Sequence, residues 1–175
     1  GGRSSYTAQI IQDLNAQRDT EINIASGQLS TVFDPAIVAL TEFKTIYDQA
    51  VTTVSDSRTR YTTARVCLAA KATAPPSRAQ PNYSVWISDI DTRLSAEVNP
   101  LLNQLTIKQT SAASKLAQIQ NTKAEIVASN DIQTQVGDYQ ISVQSALDAK
   151  AEATTGLSTA RTDLQNAQAK ATIFN

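Results

Sequence analysis

The chain has 175 residues, a formal net charge of −1 and 41% hydrophobic residues, which is enough apolar content for one folded domain. Its charges are balanced and form no basic patch, so nucleic acid is not an expected partner. Uninterrupted apolar runs such as 66–70 are far shorter than the roughly 20 residues of a membrane-spanning helix, and no transmembrane segment is predicted.

The residue types that carry most enzyme chemistry are scarce. Histidine is absent, and Cys67 is the only cysteine. This removes the commonest general base and metal ligand, and it excludes an internal disulfide or a Cys/His zinc site. No phosphate loop or metalloprotease motif is present. We therefore predict a protein that is not an enzyme, with no catalytic residue, metal or cofactor. Cys67 is predicted to be a small buried apolar residue, and the alternative is an intermolecular disulfide or a reactive thiol.

Apolar residues recur at steps of three and four, which predicts long helices. The first helix is predicted over 5–32, and its predicted seam includes Ile11, Leu14, Leu29 and Val32. The second helix is predicted over 35–72, where Asp34 would be the N-cap and Pro35 the first helical residue. The segment 73–83 holds three of the five prolines and is predicted to be a loop.

The second half of the chain continues the pattern, with a third helix predicted over 84–129 and a fourth over 131–172. The short connection between them requires antiparallel neighbours. Four alanines of the last helix fall one heptad apart: Ala146, Ala153, Ala160 and Ala167. Such small residues form a close-packing seam, which serves either the interior of the bundle or a self-association face.

One segment recurs along the chain. Residues 29–41, LSTVFDPAIVALT, return as residues 94–106, LSAEVNPLLNQLT, with Leu, Ser, Pro, Leu and Thr in register. The match indicates either an internal duplication or two helices whose heptads share a phase. Pro35 and Pro100 each disfavour helix at the preceding residue, so each marks a turn or a kink.

Length distinguishes the two prolines. A helix that continued through Pro35 would span about 68 residues, near 100 Å, and no other helix of the chain would cover it unless another molecule did. We therefore predict a turn at Pro35 and a kinked helix near Pro100. The predicted fold is all-α, a single domain over 1–175 forming an elongated antiparallel up-down-up-down four-helix bundle with coiled-coil-like heptad seams. The alternative has five helices, with turns at both Pro35 and Pro100.

Candidate binding residues lie near the proline-rich loop. Tyr83, Trp86 and Ile87 form either an exposed tip for a partner or a plug at the end of the bundle. Asn82 begins an N-glycosylation sequence, Asn-Tyr-Ser, which is usable in a secreted protein.

The predicted seam of the second helix includes Ile37, Leu40, Tyr47, Val51, Val54 and Tyr61. Polar residues also occur at predicted seam positions: Arg18, Lys44, Arg58, Gln109, Lys123 and Lys150. Either they fix the register of the helices from core positions, or the seam lies one step away and their long side chains reach water.

Three functions fit this pattern. The leading prediction is a non-enzymatic structural or interaction protein, a rigid bundle for assembly, adhesion or spacing, with a protein partner or a second copy bound to it. The alternative is a carrier of lipid or another apolar ligand, by fold-level analogy with amphipathic bundles. A further alternative is an extracellular sensory domain of a receptor. An extracellular or cell-surface location is expected.

Overall fold

The computed structural model of the chain describes residues 2–73, 81–128 and 136–172. All of these are helical except Pro81 and Asn82, and no strand occurs among them. The elements are α1 (Gly2–Gln28), a first π turn (Leu29–Phe33), α2 (Asp34–Thr73), α3 (Tyr83–Arg93), a second π turn (Leu94–Val98), α4 (Asn99–Ala128) and α5 (Val136–Thr172). The predicted all-α class is confirmed. Most of the predicted loop, 74–80, and the predicted connection near residue 130 lie outside the described residues.

The chain divides into two compact units. Unit 1 comprises Gly1–Glu42 and Ala113–Thr155, and unit 2 comprises Phe43–Ala112 and Gly156–Asn175. Helices α2, α4 and α5 each contribute residues to both units, whereas α1 belongs wholly to unit 1. The single domain over 1–175 stays a prediction.

Each unit has its own apolar core, to which three helical segments contribute. The buried residues of unit 1 are Phe33, Ala36, Leu40, Ile119, Ala146, Ala149 and Ala153. Those of unit 2 are Tyr47, Ala50, Val54, Tyr61, Val98, Leu105, Ala160 and Ala167. The alanines on one helix face let larger side chains of the neighbouring helices fill the space between them.

Polar contacts in unit 2 show the direction of the helices. Gln109 donates a hydrogen bond from Nε2 to Asp48 Oδ1 at 2.7 Å, and Arg65 Nε pairs with Asp91 Oδ1 at 2.5 Å. The later residue of α2 contacts the earlier residue of the stretch formed by α3 and α4, so α2 runs antiparallel to that stretch, as predicted. No helix among the described residues is long and apolar enough to cross a membrane.

The prediction of a turn at Pro35 is wrong, as is the alternative with turns at both prolines. The backbone stays helical through the first π turn, where Asp34 has φ −62° and ψ −46° and donates its N–H to Leu29 O. Proline has no N–H, and its ring clashes with the carbonyl four residues earlier in a regular α-helix. A π turn, which bonds to the fifth preceding residue, accommodates both defects without reversing the chain.

The second proline is handled in the same way. Asn99 has φ −64° and ψ −44° and donates its N–H to Leu94 O, so the helix continues through Pro100, as predicted. The helical stretch from Tyr83 to Ala128 therefore contains one π turn and no chain reversal.

The two copies of the repeated segment have the same local structure. Ser30 and Ser95 each donate a hydroxyl hydrogen bond to the third preceding carbonyl, at 3.1 Å and 3.2 Å. Thr41 and Thr106 each donate to the fourth preceding carbonyl, at 2.7 Å and 2.8 Å. Burial matches as well, because Phe33 and Val98 are both buried, as are Leu40 and Leu105. The two similar sequences therefore adopt the same structure, a π turn that precedes a proline within a continuing helix.

The buried face of α2 differs from the predicted seam at alternate positions. The predicted core residues Leu40, Tyr47, Val54 and Tyr61 are buried. The positions between them are filled by residues one step earlier than predicted: Ala36, Phe43, Ala50 and Ser57. Small side chains there allow close packing, while the longer residues predicted at the seam keep their charged ends in water.

Gly27 and Gly156 both lie within helices, and their surroundings differ. A Cβ atom added at Gly156 would lie 2.5 Å from Phe43 Cε2 and 2.9 Å from Phe43 Cζ, whereas one added at Gly27 meets nothing within 4 Å. Phe43 packs edge-on against Tyr47, with ring centroids 4.9 Å apart. Moving the Phe43 ring to make room for a Cβ atom at residue 156 would disturb this contact. Gly156 is therefore a packing requirement of unit 2.

We expect Gly156→Ala to lower the free energy of unfolding by about 1 kcal/mol, because overpacking outweighs the better helix propensity of alanine. Gly27→Ala is the matched control, and it should raise helix stability by up to about 1 kcal/mol. Equilibrium urea unfolding followed by circular dichroism measures both. Equal stabilisation by the two substitutions would contradict the close approach at Gly156.

Candidate functional surfaces

The predicted alanine seam lies in the interior. Ala146, Ala160 and Ala167 are 0% exposed and Ala153 is 1% exposed. Two of them belong to the core of unit 1 and two to the core of unit 2. Their methyl groups contact the chain itself, which leaves no surface there for a partner.

The aromatic residues near the proline-rich loop stand at the start of α3. Tyr83 and Trp86 pack edge to face, with ring centroids 5.7 Å apart and planes at 77°. Trp86 remains 49% exposed, whereas Tyr83 and Ile87 are half-buried. The three predicted residues therefore lie together, with Trp86 the most accessible to solvent.

Asn82 is exposed and caps α3. Its side chain accepts a hydrogen bond from the Val85 N–H at 3.4 Å and another from the Ser84 hydroxyl at 2.7 Å. Both bonds use Oδ1. The amide nitrogen, where a glycan would be attached, takes no part in the cap.

The polar residues at predicted seam positions are mostly at the rim of the cores. Lys44 pairs with Asp48 at 2.7 Å and Lys123 pairs with Asp34 at 2.5 Å, while Arg58 is exposed. Lys150 is half-buried, and the side chain of Arg18 lies outside the described residues. The interpretation with the seam one step away accounts for Lys44 and Arg58.

Asp48 joins two of these residues in unit 2. Burial alone would raise the pKa of Asp48, but hydrogen bonds from Lys44 and Gln109 and the charge of Lys44 together lower that pKa below its usual value. The carboxylate therefore stays charged at neutral pH and ties α2 to α4.

A second polar contact was not foreseen from the sequence. Asp163 on α5 accepts hydrogen bonds from Lys108 Nζ at 2.8 Å and from the Tyr47 hydroxyl at 3.3 Å. Lys108 also lies 5.7 Å from the centre of the Tyr47 ring. Three helices, α2, α4 and α5, thus meet at one carboxylate. The sequence feature that could have indicated this contact is a tyrosine at a predicted core position, because a buried hydroxyl needs a hydrogen-bond partner.

The charges of this contact are well matched. Burial raises the pKa of Tyr47, so its hydroxyl keeps its proton, and the hydrogen bond to Asp163 raises the pKa of Lys108. Tyr61 and Arg93 make a similar contact elsewhere in unit 2, where burial raises the pKa of Tyr61. These groups connect neighbouring helices of unit 2.

Asp163→Ala is expected to lower the free energy of unfolding by about 2 kcal/mol, because it leaves Tyr47 and Lys108 without their shared acceptor. The control is Asp148→Ala, an exposed acid on the same helix, which should change stability by less than about 0.5 kcal/mol. Urea unfolding measures the difference. Equal effects would mean that the contact contributes nothing.

The structure bears on two predictions, the burial of Cys67 and the absence of a metal site. Cys67 is exposed, so the prediction that it is buried is wrong; α2 turns this part of its surface away from its packed neighbours. Among the described residues, no three His, Cys, Asp or Glu side chains come together as metal ligands would. The absence of catalytic residues and cofactors stays a prediction.

Helix α1 has an apolar face without a cover in unit 1. Every described side chain from Thr7 to Gln17 is exposed, including Ile10 at 43%, Ile11 at 54% and Leu14 at 48%. No described residue of α1 belongs to the buried core of unit 1. The sequence pattern indicated this face, but a turn at Pro35 would have folded it against the bundle.

Unit 1 also has an open groove of about 410 Å³ between α4 and α5. It is lined by the buried Ile119 and Ala149 and by Ile141, which is 69% exposed. Lys115 and Glu152, which also line it, form an ion pair. The groove is open to solvent, and both apolar and charged side chains line it.

Comparison with known proteins places the chain in no family: no protein-family model matches it, and neither does any curated protein or solved structure.

Proposed function

We propose that this chain is a non-enzymatic structural and interaction protein, whose helices assemble and space protein components. The observation that carries the proposal is α1, which is helical although all its described side chains from Thr7 to Gln17 are exposed. Isolated helices are marginal in water, and most helical stability in proteins comes from packing an apolar face. An assembly partner would supply that packing.

The use of charged residues supports the same proposal. Arg65 with Asp91 and Lys108 with Asp163 join different helices of unit 2, and Lys123 with Asp34 does so in unit 1. Charged pairs of this kind set the register of packed helices. A protein that spaces other components needs such fixed helix positions more than it needs a reactive cavity.

Native mass spectrometry of the protein taken directly from its source tests the proposal. We expect a complex of fixed stoichiometry in which this chain is bound to another protein subunit, either a different protein or a second copy. A lipid adduct with no protein partner, together with thermal stabilisation by fatty acids, would favour the carrier function instead. A bare monomer at every concentration would contradict the assembly function.

We also propose an extracellular or cell-surface location. Its support is the exposed Asn82, whose amide nitrogen is not used in capping α3. Protein from the natural source should lose mass on enzymatic removal of N-glycans. The variant Ser84→Ala should prevent the modification, while Ser84→Thr retains it. An unmodified Asn82 in the source protein would remove this support.

A further inference from the structure

We propose that Gly156 and Asp163 set the register of α5 in unit 2, meaning its lengthwise alignment with α2 and α4. The two residues lie one heptad apart on α5, and we call them the register pair. The inference concerns how the fold is specified and does not depend on the assembly function proposed above. It starts from a seven-residue repetition of the apolar side chains of α5.

The packed positions of α5 in unit 2 are repetitive. Ala160 and Ala167 belong to the buried core, and Leu164 packs against it. The residues seven positions before these are two alanines and a leucine: Ala153, Ala160 and Leu157. Each packed position would therefore receive the same amino acid if α5 advanced by one heptad. Apolar packing at heptad positions leaves this advanced register open.

Gly156 excludes the advanced register because it has no side chain. A Cβ atom at this position would lie 2.5 Å from Phe43 Cε2, so the native contact requires glycine. In the advanced register Ala149 would take the place of Gly156, and its methyl group would overlap the Phe43 ring. Overpacking of this kind destabilises a core.

Asp163 excludes the same register by hydrogen bonding. Its carboxylate accepts hydrogen bonds from Lys108 Nζ at 2.8 Å and from the Tyr47 hydroxyl at 3.3 Å, and Tyr47 is 1% exposed. In the advanced register Gly156 would take the place of Asp163 and offer no side-chain acceptor. Removing the acceptor from a buried donor costs its desolvation free energy. The register pair thus selects the native alignment twice, once by shape and once by hydrogen bonding.

Movement of α5 in the opposite direction is excluded more strongly. A displacement by one heptad toward earlier positions would bring Lys170 to the place of Asp163, next to Lys108. The same displacement would bring Phe174 to the place of Ala167, which is 0% exposed. Like charges and overpacking both oppose it, so the advanced register is the alternative that the register pair must exclude.

Moving the register pair along α5 tests the proposal. The variant Ala149→Gly/Gly156→Asp/Asp163→Lys places the native sequence of Gly, Asp and Lys one heptad earlier, and we call it the transplanted variant. All proteins in the test also carry Tyr139→Ala, because the advanced register would bring residue 139 to the place of the buried Ala146 in unit 1. The transplanted variant should adopt the advanced register, in which its new residues meet the native partners.

Double electron–electron resonance between labels at Thr63→Cys and Thr159→Cys measures the register in a Cys67→Ser background. Both labelled positions are exposed and belong to unit 2. The later residue of the register pair contacts the later of its two partners on α2, so α5 runs parallel to α2 in this unit. Advancing α5 by seven residues should therefore shorten the label distance by about 10 Å.

The matched control is Thr155→Asp/Thr162→Lys, which adds the same residue types at exposed positions next to the register pair. It should keep the label distance of the Tyr139→Ala background. A second variant, Gly156→Ala/Asp163→Ala, gives both registers alanine at the two selecting positions. It should show two distances, one native and one about 10 Å shorter.

A folded transplanted variant with the native distance would overturn the proposal, as would an equally shortened distance in the control. If the transplanted variant loses its helical circular dichroism, the variant with two alanines decides. Two distances in that variant support the proposal, whereas the native distance alone would show that residues outside the register pair hold α5 in place.

Discussion

Deleting Ala96 from the second π turn is expected to lower the free energy of unfolding by about 4 kcal/mol through lost apolar burial, against about 2 kcal/mol when Thr31 is deleted from the first. Each deletion removes one residue and so rotates the preceding helix by about 100° relative to the following one. In unit 2 this rotation takes Ile90 and Leu94 out of the core, and each apolar side chain is worth about 2 kcal/mol when buried.

The deletion of Thr31 is the matched control, because it makes the same backbone change before a proline. Strain at Pro35 and at Pro100 should be similar in the two variants, so it cancels in the comparison. Of the apolar side chains packed against the core of unit 1, only Leu29 precedes Thr31, since the described apolar side chains of α1 are exposed. Urea unfolding of both variants gives the difference. Equal losses would mean that α1 is packed as tightly as α3.

Phe33→Ala is expected to cost about 3–5 kcal/mol, because Phe33 is 0% exposed and its loss leaves a large cavity in the core of unit 1. Val32→Ala should cost only about 1 kcal/mol, since Val32 packs at the edge of that core. Equilibrium unfolding compares the two neighbours directly. The reverse order would place the seam at Val32, as the heptad pattern alone predicted.

The helical class was predictable because the apolar period is regular along the chain. Leu40, Tyr47, Val54 and Tyr61 were assigned to the core correctly for that reason. A heptad has two core positions, however. The steps of three and four do not determine which of two adjacent residues occupies one of these positions. Burial cost decides between neighbours, so Ser57 is buried while Arg58 reaches water.

The connection at Pro35 was not predictable from local rules. Asp34 followed by Pro35 is a good helix start, and a length argument favoured a turn there. That argument assumed that the chain must cover its own helices. The π turn removes the local penalty of the proline, and α1 is left with an uncovered apolar face. This π turn could not be predicted, since a π turn has no simple residue pattern.

The functional surfaces were predictable only in part. Tyr83 and Trp86 were expected to lie together, and they do, because both begin the same helix. The contact among Tyr47, Lys108 and Asp163 joins residues far apart in sequence, and charge pairing at that distance is not encoded in any local spacing. The apolar face of α1 is exposed because the helix continues through Pro35, so a wrong prediction at Pro35 also led to a wrong prediction for this face.

The distance between two spin labels across Pro35 tests the central claim, which is that the helix continues there and leaves α1 uncovered. Labels are placed at Asn23→Cys and Glu42→Cys, both exposed positions of unit 1, in a Cys67→Ser background. A continuous helix separates these residues by about 28 Å, as measured by double electron–electron resonance. A hairpin with its turn at Pro35 would bring them to about 10 Å, and that result would contradict the account.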